Sequence, residues 1–223
     1  MNHHSAASTP RFCKPADNHR PYGSHRFEVW SPKLRRRITF FHDRSLEMWA
    51  LLEADPSVLA FCERPIVIKG DKRNVVVDFW VQRATREEIL ILPSSSKHKK
   101  SEPVNTATID PYLSSWAETQ DIHVRSISLA EIIADPILIA NWKTILHYLA
   151  ANIPLLQPEY IARMQSQFLA GTKSSLAEIE QKLSSDDPIL VRTAVFALLQ
   201  RGVLRSDDLR TAVLNPSTRF VAI

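Results

Sequence analysis

The stretch SLEMWALLEADPSVLAFCERPIVI, residues 45–68, decides the fold class because it joins a helix pattern to two strand patterns. Its apolar residues recur at the three- and four-residue spacing of an amphipathic helix, which we predict over 43–54 and which the following Asp-Pro pair ends. The apolar runs 57–61 and 65–69 are typical of short strands. A helix that leads directly into strands favours a mixed α/β domain.

On both sides of this stretch, strands and helices continue to alternate. The other predicted elements of the first part are strands at 37–41, 75–81, 88–92 and 123–127 and helices at 110–120 and 136–151. After residue 158 the pattern is helical, and the predicted helices are 159–170, 175–183 and 188–200. Two short apolar runs follow them. This succession is typical of a winged helix, and a bare helical bundle has the same pattern. We therefore predict an α/β domain with a mixed sheet, followed by a small, mainly helical, winged-helix-like domain.

The composition is that of an ordinary globular protein: of 223 residues, 44% are hydrophobic and 23% are charged. The chain has only four glycines and no Gly-rich phosphate loop, which excludes nucleotide chemistry by that route. Its two cysteines, Cys13 and Cys62, form no disulfide framework. No apolar run approaches the roughly 20 residues of a membrane helix, and no apolar leader is present. These features predict a cytoplasmic protein without membrane contact.

Basic residues are concentrated near the N-terminus. The first 45 residues hold nine lysines and arginines against three acids, whereas the whole chain carries a net charge of only +4. A second basic cluster lies at 97–100. This asymmetry is typical of a segment that meets phosphate, although a solvated tail has the same composition. The residues that we predict to bind DNA are Arg35, Arg36, Arg37, Lys97, Lys99 and Lys100.

Two carboxylates stand in unusually apolar surroundings. Asp78 lies in the middle of the strand pattern VVVDFWV, and Glu47 lies on the preceding helix between Leu46 and Met48. Burial of a carboxylate is costly unless the group is paired or binds a metal. A helix carboxylate with a strand aspartate suits Mg²⁺, which prefers oxygen ligands. On residue chemistry alone the simpler interpretation is that Asp78 caps a loop or pairs with an arginine, and that Glu47 faces solvent.

The order of these motifs resembles the TnsA family, the endonuclease subunit of heteromeric transposases, which has the PD-(D/E)xK restriction-endonuclease fold. Residues 45–68 are similar to the family's S-x-x-E helix, D-P-x-V, strand and Gln-Pro, with Arg64-Pro65 in the Gln-Pro position. VVVDFWV resembles the family's P-D-F strand. IHVRSISLAEIIADPILIANWKTILHYL, residues 122–149, resembles its later strand and long helix. The resemblance covers roughly residues 37–150 and is weaker in the C-terminal part.

By this resemblance, Glu47 and Asp78 are the catalytic carboxylates that bind Mg²⁺ in an endonuclease. The family continues with Glu/Gln-x-Lys-Pro on the next strand, but here Leu90 and Leu92 occupy the acid and lysine positions. Leucine neither binds Mg²⁺ nor stabilises the charge that develops during phosphodiester cleavage. Two ways of restoring the site stay open: a lysine from 97–100, or a two-residue shift that brings Glu88 to the acid position.

We therefore expect a TnsA-like subunit of a heteromeric DNA transposition machinery whose nuclease centre is impaired, that is, a pseudonuclease. The partners that the resemblance implies are the DNA of transposon ends, a TnsB-like transposase and a TnsC-like AAA+ regulator. The alternative is an active Mg²⁺-dependent endonuclease that cuts the 5′ ends of a transposon. A DNA-binding regulator that works through the winged helix is a third possibility. Against it, the predicted recognition helix has one basic residue, Arg192.

The predicted domains are a basic extended arm at 1–36, a nuclease-fold domain at 37–155 and a winged-helix-like domain at 156–223.

Overall fold

The computed structural model describes residues 9–69, 74–93 and 108–223, which form two compact units. The first unit takes its residues from Met1–Ser24 and Val58–Ser128, and the second takes its residues from His25–Ser57 and Leu129–Ile223. Each unit is therefore discontinuous in sequence, whereas the predicted domains are consecutive ranges. The mixed α/β class predicted from the sequence is confirmed.

The strands, in chain order, are β1 Phe27–Ser31, β2 Arg36–Phe40, β3 Val58–Glu63, β4 Val67–Lys69, β5 Asn74–Val76, β6 Phe79–Arg83, β7 Glu87–Ile91, β8 His123–Ser126, β9 Lys173–Ser175, β10 Leu204–Arg205 and β11 Arg219–Ala222. The helices are α1 Asp43–Ala54, α2 Pro111–Thr119, α3 Leu129–Ile133, α4 Pro136–Asn152, α5 Pro158–Ser166, α6 Leu176–Lys182, α7 Pro188–Gln200 and α8 Asp208–Thr211. A short 3₁₀ turn, Ile153–Leu155, follows α4. Among the described residues, no helix has both the length and the apolar character needed to cross a membrane.

A four-stranded mixed sheet forms the first unit's core. β3, β6 and β7 are antiparallel neighbours in that order, and β8 pairs with β7 in parallel. The parallel pair needs a crossover connection, and α2 lies in that connection and contacts β8. The side chains that fill the sheet are large and apolar, and the fully buried ones include Phe61, Phe79, Trp80 and Ile89. This apolar filling explains why the sequence of these strands reads as nearly continuous hydrophobic runs.

The strand predicted over 75–81 is interrupted at Asp78. β5 ends at Val76 and pairs with β4 in a separate two-stranded sheet, whereas β6 begins at Phe79 and joins the four-stranded sheet. Between them, the Asp78 carbonyl accepts a hydrogen bond from the Arg64 backbone N–H over 2.9 Å. The chain therefore changes its pairing partner at the aspartate. Asp78 stands at the beginning of a central strand rather than in the middle of one.

The N-terminal residues differ from the extended arm predicted over 1–36. Within the first unit, Phe12 packs edge-on against Trp80, with 5.5 Å between the ring centroids, and Arg11 Nε lies 2.8 Å from Glu87 Oε2. In the second unit, β1 pairs with β2 in an antiparallel hairpin. The sequence FEVWS of β1 has the period-two alternation of a strand. The pattern covers only five residues and follows a long polar segment, so the sequence did not predict this strand.

The helix α4 organises the second unit and contacts α1, α7, α8 and β1. Its buried Asn141 donates hydrogen bonds from Nδ2 to the carbonyls of Leu209 and Ala212, over 2.9 and 2.8 Å. The Asn141 Oδ1 accepts the backbone N–H of Leu214 over 2.8 Å. One amide side chain thereby satisfies three backbone groups of the segment after β10, which fixes that segment to α4.

The predicted helices of the C-terminal part are confirmed as α5, α6 and α7, and α7 has the predicted bounds. Ser175 and Glu178 form a capping box at the start of α6, and the Asp187 carboxylate caps α7 by accepting the Ile189 N–H over 2.8 Å. The three short strands form one sheet in the order β10, β11, β9. The chain order of this part is therefore α5, β9, α6, α7, β10, α8, β11.

Candidate functional site

Asp78 joins the start of β6 to the end of β7. Its side chain is half-buried, and Oδ2 accepts a hydrogen bond from the backbone N–H of Leu92 over 2.8 Å. Leu92 follows the last residue of β7, so this bond continues the β6–β7 ladder with a carboxylate in place of a backbone carbonyl. This contact agrees with the capping role that the simpler interpretation of the sequence gave to Asp78.

Burial raises the pKa of Asp78 to about 6, against the lowering effects of the Leu92 N–H and of the positive charge of Arg64. The carboxylate is mainly ionised at neutral pH and mainly protonated below pH 5. A raised carboxyl pKa at a half-buried position is common in active sites and also occurs in structural networks. The pKa of Asp78 therefore marks the site without assigning it a reaction.

Leucines occupy the two positions, on β7 and just after it, that the TnsA resemblance assigns to an acid and a lysine. Leu90 pairs with Phe79 across the β6–β7 ladder and is 2% exposed, and Leu92 is 8% exposed. Their side chains belong to the apolar core, where a lysine or a carboxylate without a partner would be costly. The packing around positions 90 and 92 therefore suits leucine better than either polar side chain.

Glu88 does not supply a replacement acid in the observed register. It lies opposite Val81 on β6, and its buried carboxylate forms ion pairs with Arg86 Nε over 2.6 Å and with Arg83 Nε over 3.4 Å. It precedes Leu92 by four residues, which is roughly 13 Å along an extended strand. The charge of Glu88 is therefore balanced by two arginines, at a distance from Asp78 that a shared metal ion does not span.

Arg64 provides the positive charge beside Asp78. It has a left-handed backbone with φ 44°, an unfavourable conformation for a residue with a Cβ. Its Nε donates to the carbonyl of Asp17 over 2.7 Å, and its terminal nitrogen donates to Asn18 Oδ1 over 3.2 Å. Burial lowers the pKa of Arg64, and the neighbouring acids, Glu63 first, oppose that shift. Arg64 thus holds the N-terminal segment against the edge where Asp78 lies.

Glu47, the other predicted metal ligand, lies on α1 and is half-buried. α1 has the bounds predicted from the sequence, 43–54. It belongs to the second unit, whereas Asp78 belongs to the first. The binding of one metal ion by Glu47 and Asp78 together stays a prediction.

Among the described residues of the first unit, Asp78 is the one carboxylate of the Mg²⁺ ligand set that the resemblance implies. Mg²⁺ takes hard oxygen ligands in octahedral geometry, commonly from one or two carboxylates. Here one carboxylate oxygen already accepts the Leu92 N–H, and Leu90 contributes only hydrocarbon. Within the described ranges, no three His, Cys, Asp or Glu side chains form a group that would hold a metal ion. Of the metal ligands expected from the resemblance, the first unit therefore contributes Asp78, because Glu47 belongs to the second unit and position 90 holds leucine.

A buried carboxylate that sequence analysis missed is Glu53, on α1 in the second unit. It is fully buried and accepts hydrogen bonds from Ser31 Oγ, from Trp49 Nε1 over 3.2 Å and from Gln200 Nε2 over 2.6 Å. Burial raises the pKa of Glu53, while the Ser31 hydrogen bond and the Lys33 charge lower it. Glu53 thereby joins the hairpin, α1 and α7. Its four-residue spacing from Trp49 on the buried helix face was the available signal.

The predicted DNA-binding arginines lie on the β1–β2 hairpin. Arg35 is exposed in the turn with a left-handed φ of 53°, Arg36 begins β2, and Arg37 is exposed on β2. The other three predicted residues, Lys97, Lys99 and Lys100, lie outside the described residues. The structure therefore describes three of the six predicted DNA-binding residues, and all three lie on one hairpin of the second unit.

The predicted recognition helix, α7, is a core helix. Every side chain from Thr193 to Gln200 is buried. The single basic residue, Arg192, forms an ion pair with Glu180 on α6 over 2.7 Å and lies over the Tyr148 ring at 5.9 Å. A helix that is buried along this length offers no row of side chains to base edges. Direct sequence recognition by α7 is therefore disfavoured.

No family model matches the sequence, and no curated protein matches it significantly. The function is therefore inferred from the sequence motifs and from the geometry of the residues around Asp78 and on the β1–β2 hairpin.

Proposed function

We propose that the protein is a TnsA-like subunit of a heteromeric DNA transposition machinery, and that it acts by binding DNA and partner proteins rather than by cutting DNA. One observation carries this proposal. Asp78 lies at the start of a central strand beside a neighbouring strand end at which Leu90 and Leu92 stand in the acid and lysine positions. An aspartate retained next to a substituted catalytic pair is the expected remnant of an inactivated nuclease domain.

The arrangement of the first part supports a restriction-endonuclease-like domain. In chain order, α1 precedes three antiparallel strands, and α2 precedes a fourth strand that is parallel to the third. The strand that begins after Asp78 is the second of the four in space, and it is flanked by β3 and β7. This order is consistent with the fold that the TnsA resemblance implies, and the long helix α4 follows at the corresponding place in the chain.

The C-terminal part is consistent with a winged-helix-like domain that works as a scaffold. Three helices, α5 to α7, precede the strands β10 and β11, and β9 completes the small sheet. The burial of α7 disfavours a regulator that reads DNA through this helix. Phosphate contacts are instead expected from the exposed arginines of the hairpin.

The second candidate is an active Mg²⁺-dependent endonuclease, and the presence of both Glu47 and Asp78 favours it. Such an enzyme needs a positively charged group in place of the family lysine, to stabilise the charge that develops on the phosphate. It also needs a further oxygen ligand for Mg²⁺ near Asp78. Arg64 supplies a positive charge beside Asp78, but its guanidinium already donates to Asp17 and Asn18. The geometry around Asp78 therefore favours the binding subunit.

A binding experiment tests the proposal. The full-length chain is titrated into labelled transposon-end DNA at several salt concentrations, alone and with its cognate TnsB-like transposase and TnsC-like AAA+ regulator. We expect DNA binding that weakens with salt, because phosphate contacts release counterions. We also expect a stable complex with at least one of the two proteins. Absence of both DNA binding and complex formation would refute the proposed function.

A further inference from the structure

The β1–β2 hairpin presents an outer face with a single large aromatic residue. Strand alternation places Glu28 and Trp30 on this face of β1, and their cross-strand partners are Thr39 and Arg37. Trp30 is 37% exposed, and Arg37 is exposed directly opposite it. Side chains that oppose each other in this way have Cβ atoms about 5 Å apart. The Trp30 and Arg37 side chains therefore leave neighbouring backbone positions on the same face of the hairpin.

The inner side of the hairpin is fixed to the second unit. Ile38 and Phe40 are buried, and Ser31 Oγ donates to the buried carboxylate of Glu53. In the turn, Lys33 Nζ donates to two backbone carbonyls of the α1 end, over 2.9 and 2.8 Å. These contacts fix the end of β1 and the start of the turn, and the buried Ile38 and Phe40 fix β2. The outer face is thus presented by an ordered element, which reduces the entropy lost when a ligand binds.

The charges on the outer face are predominantly positive. Arg35 in the turn and Arg37 on β2 are exposed, and among the described residues no carboxylate forms an ion pair with either of them. The one acid on this face, Glu28, lies toward the other end of the hairpin and is paired with Arg26 over 2.5 Å. Trp30 is therefore flanked by positive charge on the side of the turn.

We propose that this outer face binds unpaired DNA, with one base stacked on the Trp30 ring and the phosphates beside it held by Arg35 and Arg37. The inference rests on the proposed DNA-binding function and names the substrate class for it: single strands, frayed ends or gaps. A base offers its face to an aromatic side chain only when it is unstacked, and in an intact duplex both faces are covered. An aromatic platform with adjacent cations is the usual arrangement for single strands.

A protein partner fits this face less well. The core of a protein interface needs a contiguous apolar area, whereas here Trp30 is surrounded by Glu28, Arg37 and Thr39. A single exposed aromatic residue beside an exposed arginine is instead typical of a surface that binds nucleic acid. Loss of a protein complex, rather than of DNA binding, is the contrary outcome that the experiment below detects.

The test measures the affinity of the full-length chain for an oligodeoxythymidine of about 16 nucleotides, which is long enough for one binding site, and for a duplex of the same length. We expect Trp30→Ala to weaken single-strand binding by about 10-fold or more, with little effect on the duplex. Trp30→Phe should keep most of the affinity, since an aromatic ring remains. The control is Tyr22→Ala, which removes another exposed aromatic ring.

Salt dependence separates stacking from charge. The double variant Arg35→Ala/Arg37→Ala should lower the slope of log affinity against log salt by about 1.4, since each lost phosphate contact contributes about 0.7 for single strands. Trp30→Ala should leave the slope unchanged, and so should the exposed control Arg201→Ala. Thermal melting of each variant establishes that it is folded.

The outcomes are distinct. If the wild-type chain binds neither DNA, this inference fails, and the proposed function fails with it if the complexes with the TnsB-like and TnsC-like proteins are absent as well. If it binds DNA but Trp30→Ala and the double arginine variant bind as tightly as wild type, the hairpin inference is overturned and the proposed function stands. The inference is also overturned if these variants keep DNA affinity and lose the complex with the TnsB-like transposase.

Discussion

The backbone N–H of Leu92 donates a hydrogen bond to Asp78 Oδ2 over 2.8 Å, and this bond connects the end of β7 to the start of β6. The contact joins the aspartate that the sequence predicts as a metal ligand to the leucine that the TnsA resemblance aligns with the family's lysine. It also explains why an aspartate is compatible with an apolar sheet. The carboxylate accepts the Leu92 backbone N–H, which lies just beyond the last paired residue of β7.

Asp78→Asn should make the protein more stable at neutral pH. The pKa of Asp78 is raised to about 6 in the fold, so the folded state binds a proton more tightly than the unfolded state. The stability contributed by this group is therefore fully present below about pH 4 and is lost as the pH rises to about 6. The shift corresponds to roughly 3 kcal/mol at most, and the Asn oxygen still accepts the Leu92 N–H.

Urea unfolding of wild type and Asp78→Asn between pH 4 and 7.5 measures this difference. The gap between their unfolding free energies should widen in favour of the variant as the pH rises. Glu118→Gln, on the exposed face of α2, is the control. Parallel pH profiles for wild type and Asp78→Asn would show that the carboxyl does not titrate as described.

Leu92→Lys should lower the pKa of Asp78. An ammonium group within about 6 Å of a carboxylate lowers its pKa by about 1–3 units, and the Leu92 backbone nitrogen is in contact with Asp78. Carboxyl-carbon NMR titration of Asp78 measures the change, with Leu92→Met as the uncharged control of similar volume. An Asp78 pKa that stays at the wild-type value would mean that position 92 does not direct its side chain toward the carboxylate.

Glu53→Gln should destabilise the protein by about 1–3 kcal/mol. The carboxylate accepts hydrogen bonds from Ser31, Trp49 and Gln200, whereas a glutamine offers one acceptor oxygen and adds a donor. Buried donors are then left unsatisfied. Glu47→Gln on the same helix is the matched control, because Glu47 is only half-buried. Equal unfolding free energies for the two variants would contradict the network.

Gly202→Ala should cost more stability than Gly171→Ala. Both glycines have left-handed backbones, with φ of +74° and +77°, so both substitutions incur a similar strain of about 1–2 kcal/mol. At Gly202 the added Cβ would also lie 2.7 Å from the Pro56 Cβ, whereas at Gly171 no described atom lies within 4 Å. The extra cost is expected to be about 1–3 kcal/mol in urea unfolding. A difference near zero would mean that Pro56 moves aside freely.

The sequence predicted the helices well, because their signals are local. The periodic pattern and the Asp-Pro stop define α1, and the Asp187 cap with Pro188 at the first position defines the start of α7. The mixed α/β class followed from the order of these elements. The TnsA family and the nuclease fold stay predictions, since they depend on resemblance.

The sequence was less informative where long-range contacts decide the structure. β1 forms because its partner β2 and the buried Glu53 hold it, and neither contact is visible in FEVWS. VVVDFWV is interrupted at Asp78 because β5 and β6 pair with different strands, and the Asp78 carboxylate accepts the N–H of Leu92, fourteen residues later. Apolar periodicity alone does not reveal which carboxylate on a helix is buried. The apolar neighbours of Glu47 and the family resemblance point to Glu47, whereas Glu53 is the carboxylate of α1 that the fold buries completely.

The most direct test of the central claim is a cleavage assay on end-labelled transposon-end DNA and supercoiled plasmid. Wild type and Asp78→Ala are compared in Mg²⁺ and Mn²⁺, alone and with the cognate transposase. We predict DNA binding by both proteins and no cleavage that depends on Asp78, because leucine stands at the positions that the TnsA resemblance assigns to the acid and the lysine. Strand cleavage by wild type that Asp78→Ala abolishes would contradict the account and identify the protein as an active nuclease.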